Sequence, residues 1–510
     1  LCLRATAKEE RTYFTDERIS VGRENVERYD WARDLKKRML ERGDEITYYI
    51  GPTYTAADAF AAQSDEFLWT LQPPTTLPRV YDYNESGGRT ICPLCGEKVN
   101  KISPWNCWRI DPIGHPYKVQ CQMCGARFPS NHFLAGDLAS GDYPDDGKGW
   151  QHEGRTYYFL REYAHMCYGS VVVPTIRSLS EAYALTGDGE YAHKGCILLA
   201  RLATQYPNYG WDDPDGTLEN RFDRTYLGPW NNRHPYYTWK QGGMITDLIW
   251  ETFCLEPTAY AYDAFFDHMA SDDELIAFVK AKGMPVANAT ELRAYIEDYI
   301  FRAAMNGLLA GWIKGNEGFH QAAALAVALV MDDYGDRHPN SKDMVDYAYH
   351  GIGCAASIMV NGLARDGGGH ESPNYNRIKR DFIRVAELME EVRHRHPDIY
   401  PKDAYPDILA HPKAREFFNY YIDMLAVDCF LPSIGDCGGI GAPDRYDETN
   451  RRYSTLTSEN LYAFQRYGDP RFARAATKPD GEAFGGDLWQ PYPAEAIAEA
   501  LAQPESRIAR

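Results

Sequence analysis

No run of apolar residues in this chain approaches the roughly 18 that a membrane-spanning helix needs, so no membrane partner is expected. Positive charge is scarce as well: 54 Lys and Arg stand against 73 Asp and Glu, a formal net charge of -19. An excess of that sign across the whole chain excludes nucleic acid as a partner, because the phosphate backbone would be repelled. Period-two alternation of apolar and polar residues is missing from about position 161 onward, and no strand-rich segment follows position 440. No signal peptide is visible, and the opening Leu1-Cys2-Leu3-Arg4 lacks a methionine, so the start of the chain says little about compartment.

What is present begins with size and aromatics. A chain of 510 residues, 44% of them apolar, can hold more than one domain or one large helical one. It carries 37 Tyr and 11 Trp, side chains that join a stacking face to a hydrogen-bonding tip. Such residues suit sugar rings, and they equally suit the core of a large helical protein. An acidic sugar would need basic residues gathered at the cleft, and Arg365, Arg377, Lys379, Arg380 and Arg384 could supply them.

The 12 cysteines fall into two populations. Cys92-Pro-Leu-Cys95-Gly and Cys121-Gln-Met-Cys124-Gly are two CxxC knuckles with 25 residues between Cys95 and Cys121. Each knuckle lets two thiolates grip one ion, and the following glycine relaxes the tight turn. Four thiolates make a closed tetrahedral shell, so a structural Zn2+ held by Cys92, Cys95, Cys121 and Cys124 is expected, with no open position for chemistry. Cys107 and His115 are weaker candidate ligands. Cys196, Cys254 and Cys354 lie in apolar helical contexts and read as small core residues.

Along the chain, 1–82 reads as an N-terminal helical segment, 83–135 as the metal-binding insertion and 136–510 as one helical domain, opening on a loop over 136–160. Helices are expected over 165–185, 188–205, 241–269, 272–282, 290–313, 317–335, 340–363, 376–396 and 410–427. Gly-containing turns such as Thr186-Gly187-Asp188-Gly189 separate them. The fold class is mainly α, and paired helices of this length suggest an array of hairpins, closed as an α/α toroid or open as a solenoid. If consecutive helices alternate between an inner and an outer ring, those starting at 165, 241, 317 and 376 share one polarity. The loops leading into them then fall on one rim.

Two of those loops carry titratable side chains. Lys314-Gly-Asn316-Glu-Gly318-Phe-His320 runs into an apolar helix, and Asp366-Gly-Gly-Gly-His-Glu371-Ser-Pro-Asn-Tyr375 begins another. Helix N-termini favour an anion through their unpaired N–H groups. An imidazole and a phenol beside carboxamides can take a proton from the carbon next to a carboxylate. The same rim would hold Asn232, His234 and Tyr237, in the aromatic stretch 230–237, and Asp436 in a Gly-rich loop.

These features together resemble the heparinase II/III-like and oligoalginate lyase superfamily of polysaccharide lyases. The resemblance runs over about 160–440 and rests on Tyr168-Gly-Ser-Val-Val-Val-Pro-Thr-Ile-Arg177 with Ala182-Tyr-Ala-Leu-Thr-Gly-Asp188, the His320 helix start, the Glu371-Ser-Pro-Asn-Tyr375 turn and Ser433-Ile-Gly-Asp436. It implies an α/α toroid, expected here to be incomplete and to carry the cysteine segment as a small zinc-ribbon-like insertion, followed by a β-sandwich for which no strand-rich segment is seen after 440. It also implies cleavage of uronate-containing chains by β-elimination, an acidic polysaccharide or oligosaccharide as substrate, and a periplasmic or secreted location. The family's helix-start His falls on His320 and its turn Tyr on Tyr375. Members often carry Asn just before that His; Phe319 stands there in this chain, and Asn316 would substitute. Tyr375 is then the acid, alone or serving as the base as well, and His320 the base or the carboxylate neutraliser. Asn316 and Arg161 are further neutralisers, and Glu371 orients a partner or binds a hydroxyl. Two other functions fit the composition: a glycoside hydrolase using paired carboxylates among Glu317, Asp366, Glu371 and Asp436, and a glycan-binding protein without catalysis.

Overall fold

The computed structural model describes residues 8–44, 54–74, 91–102, 107–208, 251–309, 313, 318–350, 357–424, 457–478 and 484–504. The chain is mainly helical, and it divides into two compact units. The first takes residues 1–11, 37–314 and 335–339; the second takes 12–36, 315–334 and 340–510.

In the first unit a helix starts at Phe159, passes through a π-helical turn at Tyr168–Val172 and continues as Val173–Thr186. It begins six residues before the expected 165, because the Asp145 carboxylate accepts the Leu160 N–H at 3.0 Å. Gly187 ends it in the left-handed conformation, φ 75, where a side chain would be strained. Asp188 then caps the returning helix Gly189–Gln205 by accepting the Glu190 N–H.

Helix Glu251–Met269 runs alongside Val173–Thr186 in the same direction. Near one end, the Tyr183 ring meets Phe265 and His268, with centroids 6.4 and 5.6 Å apart. At the other end, Gln205 reaches the Tyr168 hydroxyl while the Tyr206 hydroxyl donates to Glu251 at 2.7 Å. Helix Ala289–Ile296, with its continuation to Leu309, runs back along Glu251–Met269. Arg293 there lies over Phe266, and Phe301 packs on Tyr262. Taken in chain order these four helices alternate in direction, as successive hairpins do. Residues 241–250 of the expected 241–269 helix lie outside the described residues.

The cysteine segment packs into this unit as an antiparallel sheet of Trp108–Ile110, Val119–Cys121 and Arg127–Phe128. Within 136–160, expected as loop, Trp150–His152 and Arg155–Tyr157 form a hairpin. Its two turn residues, Glu153 and Gly154, both have positive φ, at 49 and 79, the geometry a two-residue hairpin loop requires. The sequence hides this strand pair because each member is only three residues long.

In the second unit, helix Phe319–Met331 is the centre: every residue from His320 to Met331 is buried. Its alanines let neighbours come close enough to hydrogen-bond its backbone. Thr12 Oγ1 donates to the Leu329 carbonyl at 2.7 Å, and Ser341 Oγ to the Ala328 carbonyl at 2.8 Å. Helix Ser341–His350 runs antiparallel to it, and Ile358–Gly362 is a further π-helical turn. The helix expected over 376–396 begins earlier, as Pro373–Asn376, tightens to a 3₁₀ turn at Arg377–Asp381 and continues as Phe382–Arg395. Helix Pro412–Asp423 packs Phe417 on Phe382. The described residues after 440 form helices Thr457–Tyr467, Pro470–Ala475 and Ala494–Ala502.

Candidate functional site

Cys92, Cys95, Cys121 and Cys124 bring their sulfurs within 4.8 Å of one another. The Cys92–Cys124 and Cys95–Cys121 sulfurs are 3.8 and 3.9 Å apart, far longer than a disulfide bond. A tetrahedral ion with metal–sulfur bonds of about 2.3 Å needs sulfurs about 3.8 Å apart, so the cluster fits one metal ion. Both knuckles are built alike. The Gly96 N–H bonds the Cys92 carbonyl at 2.8 Å and the Gly125 N–H the Cys121 carbonyl at 3.0 Å. Both glycines have positive φ, 56 and 74, in line with the relaxing role expected of them. Burial pushes the Cys92 thiol far above its usual range and Cys95 up to about 11. Cys124 is lowered, since the Ala126 N–H and the neighbouring thiols outweigh its burial. A bound cation would reverse the resistance of the first two to ionising. Cys107 and His115 do not belong to the cluster.

His320 lies in the first turn of helix Phe319–Met331, with only 8% of its surface exposed. Its ring meets Tyr347 of the antiparallel helix edge-on at 6.0 Å. Gln321 folds back to accept the Gly318 N–H at 2.8 Å, capping the helix start. Gly318 has φ +103, and a Cβ there would lie 2.7 Å from that of Asp381. The start of the His320 helix is therefore pressed against the segment from which helix Phe382–Arg395 emerges. At the far ends, Asp332 pairs with Arg395 at 3.1 Å and His396 at 2.6 Å. Two helices in contact at both starts and both ends run parallel, and His320 and Tyr375 belong to the same end of this unit.

Tyr375 stands six residues before Asp381, roughly two helical turns further out, and it is 42% exposed. Its turn is tightly built. Ser372 Oγ accepts the Tyr375 N–H at 3.1 Å, and the Tyr421 hydroxyl donates to the Pro373 carbonyl at 2.9 Å. Gly367 has φ +83, and a Cβ there would fall 2.1 Å from the Glu416 carbonyl oxygen, so the turn admits only glycine. Glu371 is exposed beside it. Asp366 spends one carboxylate oxygen on the Gly368 N–H at 3.1 Å.

Arg161 belongs to the first unit and is buried, its Nε donating to the Gly147 carbonyl at 2.7 Å. There it braces the loop before its own helix. Of the expected basic patch, Arg380 pairs with Glu459 and Arg384 with Glu387, each at 3.1 Å, which reduces the positive charge they offer a ligand. Asn316, Asn232, His234, Tyr237 and Asp436 lie outside the described residues. Ser372, whose place beside Glu371 fits helix-start chemistry, was legible; sequence reasoning missed Tyr347, whose ring meets His320, and Asn376. Asn376 adjoins Tyr375 in sequence, but nothing local marks its contacts. No protein-family model matches the chain, and no curated protein is similar to it in sequence.

Proposed function

We propose that this protein is a polysaccharide lyase that cleaves a uronic-acid-containing glycan by β-elimination, on helical hairpins arranged as an incomplete α/α toroid. One observation carries the reading: helices Phe319–Met331 and Phe382–Arg395 run parallel with their starts together, so an imidazole and an exposed phenol share one end of the unit. The motif resemblance supports the same pair. In this mechanism the uronate carboxylate sits at the helix starts, where N–H groups and the imidazole of His320 withdraw its charge. The neighbouring C–H becomes acidic. Tyr375 or His320 takes that proton, the C–H electron pair forms the carbon–carbon double bond, and the glycosidic C–O bond breaks. Tyr375 gives a proton to the departing oxygen. The burial of His320 against Tyr347 suits a fixed neutraliser, and the exposure of Tyr375 suits the group that meets both proton and leaving oxygen. The substrate is thus an acidic polysaccharide or oligosaccharide, met at a location we propose to be periplasmic or secreted. Among the described residues no helix is long and apolar enough to cross a membrane.

The test is a screen of uronic polysaccharides, read by the ultraviolet absorbance of the unsaturated product. Tyr375→Phe and His320→Ala are each expected to lower turnover by about 10²-fold or more. New reducing ends without absorbance would replace the lyase by a hydrolase. Binding without turnover would leave a glycan-binding protein.

For the four-cysteine cluster we propose zinc, held for structure. The thiolates of Cys92, Cys95, Cys121 and Cys124 would fill its shell, and the fold around them would depend on it. Elemental analysis is expected to find one zinc per chain and none in Cys95→Ser. Chelation is expected to lower the melting temperature of the wild type without changing that of the variant. A metal-free chain with an unchanged melting temperature would remove zinc from the account.

A further inference from the structure

Tyr375 is exposed, so its ring gains little position from packing and must take it from its backbone. The residue after it supplies a clamp. Asn376 is 2% exposed, and its carboxamide bridges both polar groups of Glu371. Its Nδ2 donates to the Glu371 carbonyl at 2.7 Å, and its Oδ1 accepts the Glu371 N–H at 3.4 Å. Gly369 makes room for it: a Cβ there would lie 2.1 Å from Oδ1 and 2.7 Å from Cγ of Asn376. The Asn376 N–H itself bonds the Ser372 carbonyl at 2.9 Å. The six-residue span from Glu371 to Asn376 is thereby closed at both ends, with Tyr375 inside it.

We infer that Asn376 is a positioning residue, which fixes the backbone that presents the Tyr375 phenol to the substrate. The inference rests on the lyase reading for its catalytic consequence, and on the hydrogen bonds alone for the clamp. Near neutral pH a carboxamide offers a donor and an acceptor at this length where a carboxylate offers acceptors alone. A carboxylate in its place would set an oxygen against the Glu371 carbonyl, whereas its protonated form restores the donor. Gly369→Ala would expel the carboxamide without touching Asn376.

The experiment combines kinetics with amide hydrogen exchange over the 366–376 turn, using Asn376→Ala, Asn376→Asp and Gly369→Ala in the full chain. Asn376→Ala is expected to speed exchange in this turn by at least about tenfold. It is also expected to lower kcat about 10- to 100-fold while KM stays within about twofold. In a Tyr375→Phe background the same change is expected to cost nothing further, since Asn376 acts through that phenol. Asn376→Asp is expected to regain kcat, relative to wild type at the same pH, as pH falls toward about 4. Gly369→Ala is expected to follow Asn376→Ala in both readouts. Unchanged exchange in both the Asn376→Ala and Gly369→Ala proteins would overturn the clamp, and so would an equal loss of kcat with and without the phenol. Faster exchange together with full turnover by Tyr375→Phe would uphold the clamp and reject the lyase reading of Tyr375.

Discussion

At the scale of single residues, the first described side chain shows how much one contact can hold. Lys8 and Asp263 form an ion pair with neither side chain exposed, and the ammonium sits 4.6 Å from the Phe266 ring centre. Two charges taken out of water cost several kcal/mol each, and mutual attraction offsets that cost only while both are present. Lys8→Ala removes the cation that the buried Asp263 carboxylate faces and is expected to destabilise the protein by about 3–5 kcal/mol. Urea unfolding checks this, and Lys8→Met with Asp263→Leu is expected to recover most of the loss. Nothing in the sequence announces the pair, because its members are 255 positions apart. His320 teaches a related lesson: its place at a helix start is legible from the Gly and apolar residues around it. Its burial against Tyr347 is not, since that depends on which helix comes back alongside.

At the scale of elements, the helices of the first unit are tied by a small titrating network. Asp272, the cap of helix Asp273–Ala281, accepts from His193 at 2.7 Å and from His268 at 3.1 Å. The hydrogen bond to Asp272 raises the His193 pKa above its ordinary value, against the effect of burial. Burial alone would raise Asp272, but the hydrogen bonds from the two histidines outweigh it and hold the carboxyl well below its usual range. The signs set the window. The raised histidine contributes stability fully below about pH 6.5, and loses it as pH rises through its higher folded value. The lowered carboxylate contributes above about pH 4, and loses it as pH falls. Asp272→Asn is therefore expected to reduce the melting temperature most between about pH 4 and 6.5, and less as pH rises through the raised His193 value. Melting curves of wild type and variant across pH 3–9 measure the difference. Elements also show where local signals fall short. Pro174 stands in the first turn of Val173–Thr186, just after the π-helical turn Tyr168–Val172, inside the run expected as helix over 165–185. Asp145 caps the helix that begins at Phe159 by accepting the Leu160 N–H from fifteen positions away, so no adjacent capping residue is there to be read.

At the scale of the whole molecule, the two units divide at Lys314 and Gly315, a boundary that composition does not mark. The second unit joins residues 12–36 to the far end of the chain. Asn25 donates to the Leu488 and Gln490 carbonyls, each at 2.9 Å, and Phe14 packs edge-on against Trp489 at 4.9 Å. Gly22 makes the contact possible, for a Cβ there would lie 2.6 Å from the Trp489 ring. By itself the sequence determined the mainly helical class, many of the helix stops and the four-cysteine cluster. Those are local: periodicity, turn glycines and CxxC spacing act over a few residues, and no distant partner alters them. Only the tertiary structure decided which helices lie side by side, that the start of the His320 helix meets Asp381 at the start of Phe382–Arg395, and that Asn376 closes the turn around the phenol. An apolar stripe states that a face will be buried but not against what, and these choices are made by close packing and by hydrogen bonds between residues far apart in the chain.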